Sequence, residues 1–250
     1  YVNRVNFEYL KLALRGITVV VASGDAGAPG RTNEGCDAAR PVNPVFPGSS
    51  PYVLSVGATV LRASNATLNF STPLCRQHGC PTGSAELALS FETVGWTAGG
   101  GFDRYSPMTP WWQAEAVGSY LTSGTPLPPS FHRQGRAYPD VSAVGHSCPT
   151  VLNGQLSAVD GTSCSAPVVA GLVAWLNSRR DTPLGFMNPL LYHLGATCPT
   201  CFHDVQQGHN WCTEAGCCGP DFGFAAAPGW DPVTGLGSLN LSAIAAAMVE

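Results

Sequence analysis

Six consecutive residues near the start of the chain, Ile17-Thr18-Val19-Val20-Val21-Ala22, constrain the fold more than any other stretch. They are β-branched or apolar with no polar alternation, as expected of a fully buried strand in a parallel sheet. Such a sheet must be covered by helices on both faces, which makes the chain an α/β protein. Ser23-Gly24-Asp25-Ala26-Gly27 follows as a loop at the strand's carboxyl end, where open α/β sheets hold ligands and catalytic groups. An amphipathic helix over Val2–Arg15 precedes the strand, and Tyr52–Thr59 reads as a second strand. Residues 60–95 read as an inserted β-hairpin region. Ser106–Phe131 is a Pro-rich stretch with a short helix, and further helices are expected near Pro189–Leu194 and Leu241–Val249.

The second informative stretch is Gly161-Thr162-Ser163-Cys164-Ser165-Ala166-Pro167, followed by Val168-Val169-Ala170-Gly171-Leu172-Val173-Ala174-Trp175-Leu176. The second segment is apolar nearly all round and predicts a helix inside a large protein. Pro167 is expected in the first turn, where its missing N–H costs nothing. Gly161 permits a tight turn, and the small neighbours of Ser163 leave room for a substrate beside its hydroxyl. A helix N-terminus under Ser163 would also stabilise negative charge developing in a reaction. Ser163 is therefore the candidate nucleophile; the plain alternative is a helix cap in an ordinary loop.

Together these two motifs resemble the subtilisin-like fold, in which a Gly-Thr-Ser turn carries the nucleophile and the loop after an earlier strand supplies an oxyanion-hole side chain. Subtilisins place Asn in that loop, whereas this chain has Asp25. That exchange resembles the sedolisins, or serine-carboxyl peptidases, nearest their tripeptidyl-peptidase branch. The likeness runs through Arg4-Val5-Asn6, Phe46-Pro47-Gly48-Ser49-Ser50-Pro51-Tyr52-Val53, Gly99-Gly100-Gly101-Phe102 and Gly135-Arg136-Ala137-Tyr138-Pro139-Asp140-Val141. It continues through Leu184-Gly185-Phe186-Met187-Asn188-Pro189 and Gly229-Trp230-Asp231-Pro232.

The resemblance implies a peptidase acting through an acyl-enzyme on Ser163, releasing tripeptides or cleaving internally, with Asp25 as oxyanion donor. An ionised carboxylate cannot donate a hydrogen bond, so Asp25 must be protonated and the chemistry must be acidic. The family's general base is a Glu linked to an Asp at Glu-x-x-x-Asp spacing, on one helical face. None of the seven glutamates, at 8, 34, 86, 92, 115, 214 and 250, has Asp four residues later. Residues 1–250 are therefore read as the C-terminal portion of a single catalytic domain. The acid pair is expected on a separate N-terminal chain of the same precursor, and this portion should expose a large apolar edge. The rival readings are a Ser-His-Asp triad drawn from His78, His132, His146, His193, His203 and His209, and a non-catalytic binding or structural chain of the same fold.

The resemblance also implies one calcium ion, in a region spanning about 198–240. Its ligands would be the Asp204 and Asp231 side chains and the carbonyls of Val205, Ala227 and Gly229, an oxygen set suited to a hard cation. It places Gly99, Gly100 and Gly101 beside the substrate, where absent side chains allow backbone pairing with an extended peptide. Asp140 is expected to fix a strand end in the core.

Ten cysteines suit an oxidising compartment. Cys198-x-x-Cys201 could suggest zinc or redox chemistry, but no matching second pair appears and disulfides are favoured. Cys75–Cys80 closes a plausible short loop. Cys36 with Cys212 resembles a family bridge, and Cys164 could pair with Cys148 or stay free. Sequons at Asn65, Asn69 and Asn240 agree with a secreted or lysosomal (acidic vacuolar) glycoprotein. Lys11 is the only lysine among 12 basic residues and net charge is −4, so no basic stripe exists for nucleic acid. No apolar run is long enough to span a bilayer.

Overall fold

The computed structural model describes residues 1–61, 86–106 and 108–248. Helix α1 (Val2–Leu14) leads into β1 (Val20–Ala22), and β2 (Leu54–Leu61) lies parallel beside it, Val20 opposite Leu54 and Ala22 opposite Val56. Strand β3 (Glu86–Ala88) returns antiparallel along the end of β2, Leu61 opposite Glu86, and the short helix α2 (Phe91–Val94) follows. Most of the expected inserted hairpin, and the Cys75–Cys80 pair, lie outside the described residues.

Next come β4 (Gly101–Phe102), α3 (Ala114–Thr122), β5 (Ala137–Tyr138) and β6 (Val141–Val144). The hairpin β7 (Cys148–Leu152) and β8 (Gln155–Val159) runs into α4 (Thr162–Asn177), the helix of the candidate nucleophile. Helix α5 (Asn188–Thr197), β9 (Phe202–His203), β10 (Ser238–Leu239) and α6 (Leu241–Ala247) complete the order. The main sheet runs β1-β2-β6-β10-β9, with β1, β2, β6 and β10 parallel and β9 antiparallel at one edge.

Helix α4 lies across β1, β2 and β6. Its Val169 and Val173 join Leu54, Val56 and Val141 of the strands, Val117 and Tyr120 of α3, and Leu191 and Tyr192 of α5 in the main core. Beneath that core, Arg136 and Asp140 are both fully buried and paired at 2.6 Å. Asp140 Oδ2 also accepts from Ser55 N at 2.7 Å and Asn188 Nδ2 at 3.1 Å, and Oδ1 from Tyr192 Oη at 3.0 Å. Asp140 thus ties β2, the segment leading into β6, and α5 together, matching its expected role at a strand end.

Three local expectations need correction. The first strand is half-buried, not fully buried, because among the described residues β1 forms an edge of the sheet with no strand paired outside it. Helix α4 buries Thr162, Ser165, Ala166, Val169, Val173 and Leu176, but Pro167, Val168, Gly171 and Ala174 face outward. Its apolar outer side is uncovered, with Val168 48% exposed, so the helix is not interior all round. Pro167 lies in the second turn because α4 already starts at Thr162, and its ring takes away the N–H that would otherwise reach the Ser163 carbonyl.

Four disulfides occur among the described residues. Cys148–Cys164 and Cys198–Cys201 settle the open pairings. The expected Cys36–Cys212 bridge is replaced by Cys36–Cys218 and Cys212–Cys217. A tight turn, with Thr213 N donating to Gly216 O at 2.7 Å, folds Cys217 back opposite Cys212 and leaves Cys218 to reach Cys36. No helix among the described residues is long and apolar enough to cross a membrane.

Candidate active site

The Gly161 turn brings Ser163 and Asp25 to one place from opposite ends of the chain. Gly161 has φ 138°, a conformation that disfavours any side chain, and it hands the chain into the first turn of α4. Thr162 N donates to Asp25 Oδ1 at 2.8 Å, and Thr162 Oγ1 donates to the same oxygen at 2.7 Å. Gly24 N donates to Thr162 Oγ1 at 3.2 Å, which orients that hydroxyl toward Asp25. Asp25 therefore caps the helix of the candidate nucleophile from outside it, and its Oδ1 is filled by two donors. Its Oδ2 accepts no hydrogen bond from the described residues and lies 4.0 Å from Arg31 Nη2.

Ser163 is exposed, and its Oγ hydrogen-bonds to no described group. Its backbone N–H belongs to the first turn of α4, which has no intrahelical acceptor. An exposed hydroxyl, an orphan N–H and a free carboxyl oxygen at one helix terminus are groups that could serve as a nucleophile with an oxyanion hole. Thr162 is the residue that sequence reasoning passed over. The signal was present in the Gly-Thr-Ser triplet, but its partner lies 137 residues away.

The described histidines serve elsewhere. His209 Nε2 meets Glu92 Oε2 at 2.8 Å and stacks on Trp211 at 3.6 Å; His146 Nδ1 lies 3.1 Å from Asp160 Oδ1; His132 Nδ1 meets Asp103 O at 3.0 Å. None hydrogen-bonds Ser163. Glu92, His209 and Cys212 cluster as metal ligands do, but Cys212 is committed to its disulfide.

Gly99, Gly100 and Gly101 run beside the Asp25 loop. Thr97 N donates to Asp25 O at 3.3 Å, and Gly99 N to Gly24 O at 2.7 Å. A Cβ on Gly100 would stand 2.1 Å from Pro232 O, and one on Gly99 would stand 2.7 Å from Ser23 O. The absent side chains thus serve close packing of this segment, and Gly101 enters β4 opposite Tyr138.

The segments that carry the five expected calcium ligands are hydrogen-bonded to one another. Asp204 Oδ2 accepts from Gly229 N at 2.9 Å, Asp231 Oδ2 accepts from Ala227 N at 3.0 Å, and Thr234 Oγ1 reaches Val205 O at 3.4 Å. Asp231 is fully buried, and among the described residues no cationic side chain lies within 4.0 Å of it or of Asp204. Burial pushes the Asp231 carboxyl up to about 7, against the pull of the Ala227, Thr234 and Val233 N–H groups, and the Asp204 charge adds to the rise. A buried carboxylate beside a second one, with no cation of the protein's own, has the chemistry of an oxygen-lined cation site.

Comparison with known proteins agrees with this geometry. The subtilase family model matches residues 4–190. Physarolisin of Physarum polycephalum is 44% identical over 248 residues, 95% of this chain and 43% of its own length. Tripeptidyl-peptidase 1 of Mus musculus is 38% identical over 255 residues, 98% of this chain and 39% of its own. The chain thus spans about two fifths of the length of these curated relatives. The structure of Pseudomonas sedolisin, a serine-carboxyl proteinase complexed with two molecules of pseudo-iodotyrostatin, superposes with a TM-score of 0.74 at 29% identity, covering 98% of this chain and 59% of that one. The chain belongs to the subtilase family and, within it, to the sedolisins, the serine-carboxyl peptidases.

Proposed function

We propose that this chain carries the nucleophile and oxyanion hole of an acid-acting, tripeptidyl-peptidase-like serine peptidase. Ser163 Oγ attacks the scissile carbonyl carbon and loses its proton to a general base. The amine leaves with a proton as the acyl-enzyme forms, and water then releases the acid and frees Ser163. The Ser163 N–H and a protonated Asp25 Oδ2 donate to the developing oxyanion. The observation that carries this reading is the pair of hydrogen bonds from Thr162 to Asp25 Oδ1. With Oδ1 occupied as an acceptor, a proton on the carboxyl sits on Oδ2, the oxygen free to donate. Gly99, Gly100 and Gly101, held against the Asp25 loop, are assigned to pairing with the substrate backbone.

The general base, a Glu paired with an Asp, is assigned to an N-terminal segment of the same precursor. Apolar surface suited to receive it is left bare on Val168 of α4, and on Phe7, Leu14 and Ile17 in and after α1, which are 48, 58, 79 and 42% exposed. Calcium is assigned to Asp204, Val205, Ala227, Gly229 and Asp231, where it would neutralise the buried carboxylate and brace the loops around Trp230. The disulfides suit a secreted or lysosomal protein.

Peptide hydrolysis by the full-length, activated protein tests the reading. Ser163→Ala is expected to abolish turnover. Asp25→Ala should lower kcat by about a hundred- to a thousandfold. Asp25→Asn, whose amide can donate to the oxyanion, should keep more activity than Asp25→Ala. Unchanged kcat in Asp25→Ala would remove Asp25 from the oxyanion hole, and an active Ser163→Ala would end the peptidase reading.

A further inference from the structure

A cleft of about 380 Å³ opens directly beside Asp25, walled by Gly24, Asp25, Ala26, Arg31, Asn43 and Arg104. Two guanidinium groups face it, and they are not equivalent. Arg31 is held by Glu214, Nη2 to Oε1 at 2.6 Å and Nε to both carboxylate oxygens at 3.3 Å, so its charge is answered within the protein. Arg104 has no carboxylate within 4.0 Å among the described residues, and its polar side-chain contact there is Asn43 Oδ1 at 3.3 Å.

That contact is prepared. The buried Asn43 donates its amide N–H groups to Pro29 O at 2.9 Å and Arg40 O at 3.0 Å, which turns Oδ1 toward Arg104. The backbone carrying Arg104 is fixed as well. Buried Asp103 accepts from Ser49 Oγ, Tyr105 N, Ser106 N and Ser106 Oγ at 3.2, 3.1, 2.6 and 2.7 Å. An arginine with, among the described residues, one of its five donors engaged is thus presented on a rigid turn three residues after Gly101.

Resting on the peptidase reading above, we propose that this cleft receives an acidic side chain, that of the substrate residue whose carbonyl is attacked, and that Arg104 selects it. The carbonyl oxygen of that residue must reach the Asp25 carboxyl. Its Cα is only two bonds from that oxygen, so its side chain enters the cleft adjoining Asp25. There Glu or Asp meets an arginine fork that no carboxylate of the described residues holds within 4.0 Å, the geometry that favours bidentate carboxylate binding.

The test uses the full-length activated protein and pairs of peptides differing only by Glu or Gln at the attacked residue. At a pH above the usual glutamate pKa, kcat/KM for the Glu peptide should exceed that for the Gln peptide by about tenfold. The ratio should fall toward one below pH 4 as the substrate carboxyl takes up its proton. Arg104→Gln should bring the ratio to one at every pH, and Arg104→Lys should retain part of it. Cleavage of both peptides with no Glu preference, or a preference that survives Arg104→Gln, would overturn this inference and leave the peptidase reading standing. A Glu preference only on the leaving-group side would overturn it too. Cleavage of neither peptide, nor of any other, would overturn both.

Discussion

Asp140→Ala should be among the most damaging substitutions in the molecule, because Asp140 is fully buried and holds four hydrogen-bonding partners. The change leaves the Arg136 guanidinium fully buried and without its carboxylate, 2.6 Å away in the native protein. Removing one partner of a buried pair costs about 3–5 kcal/mol, because the surviving charge stays desolvated. The Ser55 N–H and the Tyr192 hydroxyl lose the acceptors they hold at 2.7 and 3.0 Å, adding about 1 kcal/mol each. Arg136 keeps carbonyl contacts to Ser50, Val53 and Ala137, which argues for the lower half of the range. A total of about 5 kcal/mol would consume much of the roughly 5–15 kcal/mol that holds a domain folded. Urea unfolding followed by tryptophan fluorescence would read the loss. Asp140→Asn, which keeps an acceptor for Tyr192, should lose less. The decisive variant pairs Asp140→Ala with Arg136→Met: taking away the stranded charge should recover stability relative to Asp140→Ala alone. A double variant less stable than the single one, or a single loss below about 1 kcal/mol, would refute the reasoning.

If calcium binds where it is assigned above, the Asp231 carboxyl should make the need for it pH-dependent. Its folded pKa of about 7 lies above the ordinary 3.8, so without calcium its contribution to stability is full below 3.8 and is lost as pH rises through 7. The linkage is worth about 4 kcal/mol at most. Calcium should therefore raise the Tm more at pH 7 than at pH 4 in scanning calorimetry with and without chelator, and an equal gain at both would remove Asp231 from the site. Gly100→Ala should slow peptide hydrolysis and lower stability together, since its Cβ would meet backbone at Pro232 O at 2.1 Å. Wild-type activity and Tm in that variant would show that the segment can shift without consequence.

Local pattern carried a large share of this protein. The unalternating run ending at Ala22 announced a parallel strand, and Gly161-Thr162-Ser163 before an apolar run announced a turn into a helix N-terminus. Both are legible because strand pattern, tight turns and helix starts are set by neighbours a few residues apart, whereas the burial of the strand was not. What the sequence could not show were the meetings of distant residues. Asp25 as the acceptor for Thr162, Cys218 as the partner of Cys36, and Asn43 as the support of Arg104 depend on separations of 137, 182 and 61 residues. No local propensity records such pairings.

Arg136 fails for a different reason: its carboxylate is only four residues away, but an arginine in a sequence reads as surface, and only the packing around both shows that the pair is fully enclosed. The outer side of α4 is the reverse case. Its apolar residues read as core from the pattern, yet the described residues leave Val168 and Ala174 facing outward. Apolar periodicity records that a face is to be covered; the partner that covers it is fixed only by what packs there in three dimensions.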